Sequence, residues 1–423
     1  MGFKILQQPT HLFTMGDRRR NNKRPLLHNP HRRKTACLTE TRRKEHRQQA
    51  VFFIDQSDVL WVPYRKTCMS SHNGQLILNE EEIRMVDRSW VRWAKHFVHV
   101  LPLVAIFLTT FYAVAKGNNT GYQYYLDGTV TEPAKLTQAG LLLAGGATDQ
   151  DDAMSRFMAQ ADNGNIVVLD AYGKNSYGPY IMGLGAQSVQ TFVFNNRNGA
   201  YDPFLVNALR NADAIFIDGG NQWDYVNFWK GTPVEDALNL AALKKPVGGI
   251  SAGLAILGNY VFTAQQGTVT SEQALKNPYY SHVNLANNFL SLPNMGGIIT
   301  DTHFATRDRM GRTITFLARI LQDGWSDNAF AVAVEQGTTL WVDPKGSITF
   351  YGSGGAYFLR TTHSQEICQK GTPLTFTNVE VYKIADPSAS FDLNTWTGKG
   401  GNAYSVSSIN GELRSSQPDG AIY

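Results

Sequence analysis

Two stretches of the chain carry residue types that could do chemistry together. The first is Pro246-Val247-Gly248-Gly249-Ile250-Ser251-Ala252-Gly253-Leu254, which reads as a short buried strand, a turn and the start of a helix. Glycines on either side of a serine let the backbone turn sharply. The turn lifts the hydroxyl above a sheet and aims the following amide at a developing oxyanion. With 38 glycines in 423 residues the spacing alone is weak, and its strand-to-helix context carries the reading. The second stretch is Asp301-Thr302-His303-Phe304-Ala305-Thr306-Arg307-Asp308-Arg309-Met310-Gly311-Arg312. A neutral imidazole at His303 can take the serine proton, and arginines on a loop and helix start can fork onto a carboxylate. Taken singly, a histidine is more often structural and an arginine cluster more often a solvated face. Taken together, they point to acyl transfer on an anionic substrate.

These groups need a scaffold that brings distant segments to one edge. From Leu141 onward apolar strand-like runs alternate with helix-like runs, which predicts an α/β domain around a mainly parallel, doubly wound sheet. Gly145-Gly146 closes the first strand. Met154, Phe157, Met158 and Ala161 then recur at helical spacing and mark one buried helix face. Ile166 to Leu169, the segment near Val189 to Phe194, and Ala214 to Ile217 read as further buried strands. Asp202 before Pro203 predicts a capped helix start, and Thr232-Pro233-Val234-Glu235 predicts a capping box. In such sheets ligands bind beyond the carboxyl ends of the strands, where Gly145, Gly219 and Ser251 would all fall. Beyond residue 325 short strands, Ala329 to Val334, Thr339 to Val342, Ser347 to Tyr351 and Gly355 to Leu359, either complete the sheet or form a β subdomain. The Ser, Gly and Asn rich tail of residues 386–423 is expected to pack on the domain as irregular surface structure.

The chain is uneven in charge. Residues 1–100 hold 19 of the 39 Lys and Arg but 9 of the 35 Asp and Glu, so the leader is strongly basic and the remainder net acidic. Basic runs such as Arg18-Arg19-Arg20 lack aromatic interleaving, and the acidic remainder argues against nucleic-acid binding. Phe97 to Ala115 is apolar apart from His99 and two threonines. It follows Arg92 and Lys95 and ends Ala113-Val114-Ala115, the order of a signal peptide with an A-x-A-like cleavage site. A membrane anchor is the alternative reading. The organisation expected is therefore a basic leader over 1–96, disordered or an over-extended start with Met85 as the internal initiator. A signal peptide or anchor follows over 97–115, a catalytic domain over 116–385 and the tail over 386–423. Only Cys368 lies beyond the leader, so that domain can form no internal disulfide. No C-x-x-C or histidine cluster suggests a metal, and no cofactor is expected.

Gly219-Gly220-Asn221-Gln222, Gly249-Ile250-Ser251-Ala252-Gly253, the Asp301-x-His303-Phe304-x-x-Arg307-x-Arg309-x-x-Arg312 run and Val334-Glu335-x-Gly337-Thr338 jointly resemble the cyanophycinases and aspartyl dipeptidases. These are serine peptidases with a fold like class I glutamine amidotransferases. The resemblance runs from about Leu141 to Leu359. It implies Ser251 as nucleophile, His303 as general base, and the amides of Gly220 and Ala252 as the oxyanion hole. The third member is open between Glu335, which ends an apolar strand, and Glu272, which lies between the serine and the histidine. Glu335 is preferred because a rigid strand end holds a carboxylate against an imidazole better than a loop does. The other reading of Glu272 is a first-turn helix acid capped by Thr270 or Ser271.

The same comparison implies a pocket for a β-linked aspartyl-arginine dipeptide, shaped by Gln222, Asp301, Arg307, Arg309 and Arg312. Thr302 stands where cyanophycinase has glutamine, so the grip on the substrate's polar ends would differ. The arginines favour an acidic substrate, and Asp301 could pair with a cationic one. The function expected is a secreted exopeptidase releasing dipeptides from cyanophycin or another aspartate-rich or β-aspartyl polymer through an acyl-enzyme. The alternatives are an aspartyl or isoaspartyl dipeptidase and an inactive binding protein on the same fold. A homodimer is expected by resemblance, and membrane contact only if residues 97–115 are retained.

Overall fold

The computed structural model describes residues 120–131 and 135–423. The basic leader and the apolar 97–115 segment lie outside the described residues. Among the described residues no helix is long and apolar enough to cross a membrane.

Strand β1 (Tyr122–Gly128) is followed by β2 (Gly140–Ala144), helix α1 (Asp151–Gln160), β3 (Asn165–Asp170), α2 (Tyr177–Gly183) and β4 (Ser188–Phe194). Then come α3 (Pro203–Asn211), β5 (Ala214–Ile217), α4 (Gln222–Trp229), α5 (Pro233–Ala242), β6 (Pro246–Ile250) and α6 (Ala252–Ala255). β4, β3, β5, β6 and β2 lie side by side in that order, every neighbouring pair parallel. This five-strand core is the doubly wound element the alternating pattern predicts. Its strands are rich in Val, Ile, Leu and Phe because both faces are covered. Successive side chains serve opposite layers. Leu141, Leu143, Val167 and Leu169 pack with α3, α4 and α5, whereas Leu142, Ile166 and Val168 pack with Met154, Phe157 and Met158 of α1.

The chain then forms the small pair β7 (Val261–Phe262) and β8 (Leu285–Ala286), with α7 (Ser271–Lys276) between them. β9 (Ile298–Thr302), α8 (Met310–Gln322), β10 (Phe330–Val334), β11 (Thr338–Val342), β12 (Ser347–Gly352), β13 (Ala356–Arg360) and β14 (Phe376–Ile384) follow. The two possibilities for the strands after residue 325 are both realised. β11 and β12 extend the first sheet antiparallel beyond β2. β9, β10, β13 and β14 build a second sheet, in which β9 and β10 run parallel.

Two local expectations are corrected. The tail is not irregular: β15 (Ser390–Asp392) and β16 (Thr397–Lys399) edge the first sheet, and β17 (Asn402–Ile409) and β18 (Glu412–Ser415) edge the second. Ser390 and Asn402 sit at exposed positions of edge strands while Tyr404, Val406 and Ser408 point inward, a half-buried alternation that composition hides. The capping box at Thr232 does not form. The Thr232 hydroxyl donates to the Trp229 carbonyl, 2.6 Å away, and Glu235 accepts from the Gly231 amide instead. At Asp202 the expected cap is present, its carboxylate accepting from the Phe204 amide at 2.8 Å.

Candidate active site

Ser251 follows β6 and opens the four-residue helix α6 at φ 53°, ψ −110°. That conformation costs a non-glycine residue about 1–3 kcal/mol and persists only where the surroundings over-determine it. The surroundings here are backbone. The Ser251 amide donates to the Ala144 carbonyl at 2.9 Å, tying the turn to β2. A methyl group at Gly253 would come within 2.2 Å of the Ile217 carbonyl oxygen, and one at Gly249 within 2.5 Å of the Gly253 carbonyl carbon. The flanking glycines are therefore required by close approach of strand, turn and helix.

His303 follows β9 and so comes from the second sheet. Its Nε2 lies 2.7 Å from Ser251 Oγ. The ring is 5 % exposed and rests on the glycine pair that ends β2. The His303 amide donates to the Gly145 carbonyl at 3.0 Å, and a methyl group on Gly146 would fall 2.3 Å from the imidazole. Burial, with Arg307 and Arg309 next in importance, pushes the imidazole pKa down to about 4, against the opposing pull of Glu335 and Asp301. The ring is therefore neutral at pH 7 and able to accept a proton.

Neither candidate acid touches that ring. The Glu335 carboxylate is consumed by the turn after His303: it accepts from the Ala305 amide, from the Thr306 amide and hydroxyl at 2.9 and 2.6 Å, and from the Gln336 amide at 2.7 Å. A carboxylate that holds four donors at a strand end builds the loop and has no oxygen left for the imidazole. Glu272 is a solvent-facing first-turn residue of α7 paired with Lys276 at 2.5 Å, in a helix that Thr270 and Gln273 close with a capping box. The partner that does face Nδ1 is the side-chain amide of Gln336, 2.9 Å away. Sequence reasoning passed over Gln336. The available signal was period-two alternation, by which neighbours at a strand end project to opposite sides.

The arginines divide as sharply. Asp301, 3 % exposed, accepts from both the Nε (2.9 Å) and Nη2 of Arg312, from the Thr313 hydroxyl at 2.8 Å and from the Thr302 amide at 2.8 Å. Arg309 Nη1 donates to the Thr302 carbonyl and hydroxyl at 2.7 and 3.0 Å and stands 3.4 Å from Asp301. Burial favours the neutral acid, but Arg312 and then Arg309 outweigh it and hold the Asp301 carboxyl below its ordinary range. Asp301, Thr302, Arg309 and Arg312 thus form a buried ionic cluster, in which Arg309 engages through Nη1 and Arg312 also donates to the Thr268 hydroxyl at 3.2 Å. Arg307 remains exposed and close enough to His303 to lower its pKa.

Of Gly220 and Ala252, expected to bind an oxyanion, Ala252 directly follows the serine in the chain. Gly219 lies against the Ser251 side chain, Gly220 adopts φ +126°, and among the described residues no acceptor engages the Gly220 or Ala252 amide. Gln222 opens α4 and donates to the Phe262 carbonyl at 3.1 Å, which ties α4 to β7. Asp218, directly after β5 and before Gly219, has its carboxyl pushed up to about 7, by burial first and by Asp170 second. Among the described residues no group of three or more His, Cys, Asp or Glu could hold a metal ion.

Residues 182–290 match the model of Peptidase family S51. Two cyanophycinases, from Nostoc sp. (strain PCC 7120) and Trichormus variabilis, are each 22% identical over 292 residues, 64% of this chain and 92% of theirs. Among solved structures, a peptidase from an acI-B1 Actinobacterium aligns with TM-score 0.41 and 13% identity over 55% of this chain and 98% of its own. A putative peptidase E protein from Listeria monocytogenes aligns with TM-score 0.35 and 16% identity over 51% and 99%. With a serine–histidine pair across two sheets, the match to Peptidase family S51 over residues 182–290 and these sequence relatives, the chain is a serine-type peptidase similar to the cyanophycinases.

Proposed function

We propose that this protein is an exported exopeptidase that releases dipeptides from cyanophycin or another β-aspartyl or aspartate-rich peptide through an acyl-enzyme on Ser251. The observation that carries the reading is the 2.7 Å contact between Ser251 Oγ and His303 Nε2 at a strained strand-to-helix turn. In this reading Nε2 takes the Oγ proton as Oγ attacks the scissile carbonyl carbon. The carbonyl electron pair moves onto oxygen, where the Gly220 and Ala252 amides receive it. The imidazolium returns its proton to the leaving amine as the C–N bond breaks. Water, deprotonated by the same imidazole, then attacks the acyl carbon, and the imidazolium returns that proton to Oγ as the acyl–Oγ bond breaks and frees Ser251. Arg307 supports an anionic substrate, being the one guanidinium of the Arg307–Arg309–Arg312 set that is exposed. Its head can take a carboxylate bidentately.

The relatives named cyanophycinase support the polymer as first substrate to try. Export rests on the basic-then-apolar order ending at Ala115, and N-terminal sequencing of native protein tests it. Activity is tested by mass spectrometry of products from cyanophycin and from β-aspartyl peptides, using wild type and Ser251→Ala. Dipeptide release by wild type and none by Ser251→Ala is expected. Equal turnover by the two proteins rejects the nucleophile assignment.

A further inference from the structure

We propose that Gln336 is the positioning residue of the reacting pair: its side-chain amide accepts the His303 Nδ1–H and so reserves the Nε2 lone pair for the Ser251 hydroxyl. The inference rests on the serine-peptidase reading and deepens it. Imidazole has one proton to place when neutral, and the atom hydrogen-bonded to one nitrogen decides which tautomer the other presents. The Gln336 side-chain amide is that partner, with its Nε2 drawn 2.9 Å from Nδ1. Its two ends are alike in shape, and a half-turn of the side chain exchanges nitrogen for oxygen at this position. With nitrogen inward Nδ1 must accept, and Nε2–H would then face Ser251 with no lone pair for its proton. With Oε1 inward Nδ1–H donates, and Nε2 is the acceptor at 2.7 Å from Oγ. Only the second arrangement permits attack.

The position of Gln336 is built, not incidental. Its amide donates to Glu335 at 2.7 Å, the Glu335 amide donates to the Gly355 carbonyl at 2.9 Å, and the Gly337 amide donates to the Gly146 carbonyl at 3.0 Å. Gly146 is the glycine packed against the imidazole. One short loop thus anchors both the ring's floor and its Nδ1 partner. A neutral amide has two consequences that a carboxylate would not. It orients the ring through a neutral hydrogen bond, and it lends no charge to the imidazolium formed in the reaction.

Gln336→Glu and Gln336→Ala test this through two readouts, the pH dependence of Ser251 labelling by a fluorophosphonate and the ¹⁵N resonances of the His303 ring. Wild type is expected to show Nδ1–H. Gln336→Ala slows labelling by about 10- to 100-fold, part of what a positioned base supplies. Gln336→Glu labels at least as fast as wild type and moves the acid limb upward by about 1–3 pH units, as an adjacent carboxylate does. Wild type carrying Nε2–H with Nδ1 bare overturns the proposal, as does Gln336→Ala labelling within about twofold of wild type with the limb unmoved. If wild type shows Nδ1–H but Ser251 never labels, the nucleophile reading fails and the positioning role stands.

Discussion

Asp301 and Arg312 are locked together in the interior, Nε to Oδ2 at 2.9 Å and Nη2 to Oδ1, with both side chains 3 % exposed. Removing one partner of such a pair leaves a buried charge uncompensated, which costs about 3–5 kcal/mol. Asp301→Ala is therefore expected to lower the thermal midpoint by many degrees and to lose activity as a result of unfolding. A substrate-binding Asp301 would instead leave the midpoint in place and raise KM, and thermal unfolding monitored by circular dichroism separates the two.

Gly146 should be far more sensitive in activity than in stability. Its added Cβ would lie 2.3 Å from the His303 ring, at a backbone φ of +112°. The ring must move for Gly146→Ala to fold, and a shift of about 1 Å at a reacting group can cost about 100-fold in rate. The expected result is a folded protein with Ser251 labelling reduced by about two orders of magnitude. A variant labelling at the wild-type rate would mean the imidazole does not need this floor.

The acid limb of kcat/KM reports the free enzyme's essential base. Burial and the arginines hold His303 at about 4, below the ordinary imidazole value of about 6.5. Activity should thus persist as pH falls through 6 and decline only toward 4. A limb centred near 6.5 would place the catalytic imidazole in a solvated, uncharged setting unlike this one.

Arg307 combines two effects that a single variant can separate. Arg307→Ala is expected to raise KM for substrates bearing a free carboxylate by about 10-fold or more, the loss of a charge-assisted pair worth about 1.5–3 kcal/mol. It should also move the acid limb upward, because a cation that disfavours the imidazolium is gone. Unchanged KM would remove Arg307 from substrate contact.

Asp218 supplies a stability test with a definite sign. Its folded pKa near 7 lies above the unfolded value of 3.8, so the folded state binds more protons between those limits. Its contribution is whole below about pH 4 and is lost as pH rises through about 7. Asp218→Asn keeps an acceptor for the Gly219 amide and removes the titration. Its thermal midpoint should exceed wild type above pH 7, with the gain fading toward pH 4. A gain that is constant with pH would show that ionisation of Asp218 is not the cause.

The sequence by itself determined the parallel core, because strands buried on both faces must read as continuous apolar runs such as Ile166-Val167-Val168-Leu169. It also determined the serine turn, since Gly249 and Gly253 stand where only a missing side chain permits the approach. The histidine and arginines were legible as a group, but their roles were not. Only the tertiary structure decided that His303 arrives from a second sheet, that Arg309 and Arg312 turn inward onto Asp301, and that Glu335 serves the loop while Gln336 faces Nδ1. Residue type states which protons and charges a side chain can exchange. Which neighbour receives them depends on packing between segments far apart in the chain, and that information is absent from local spacing.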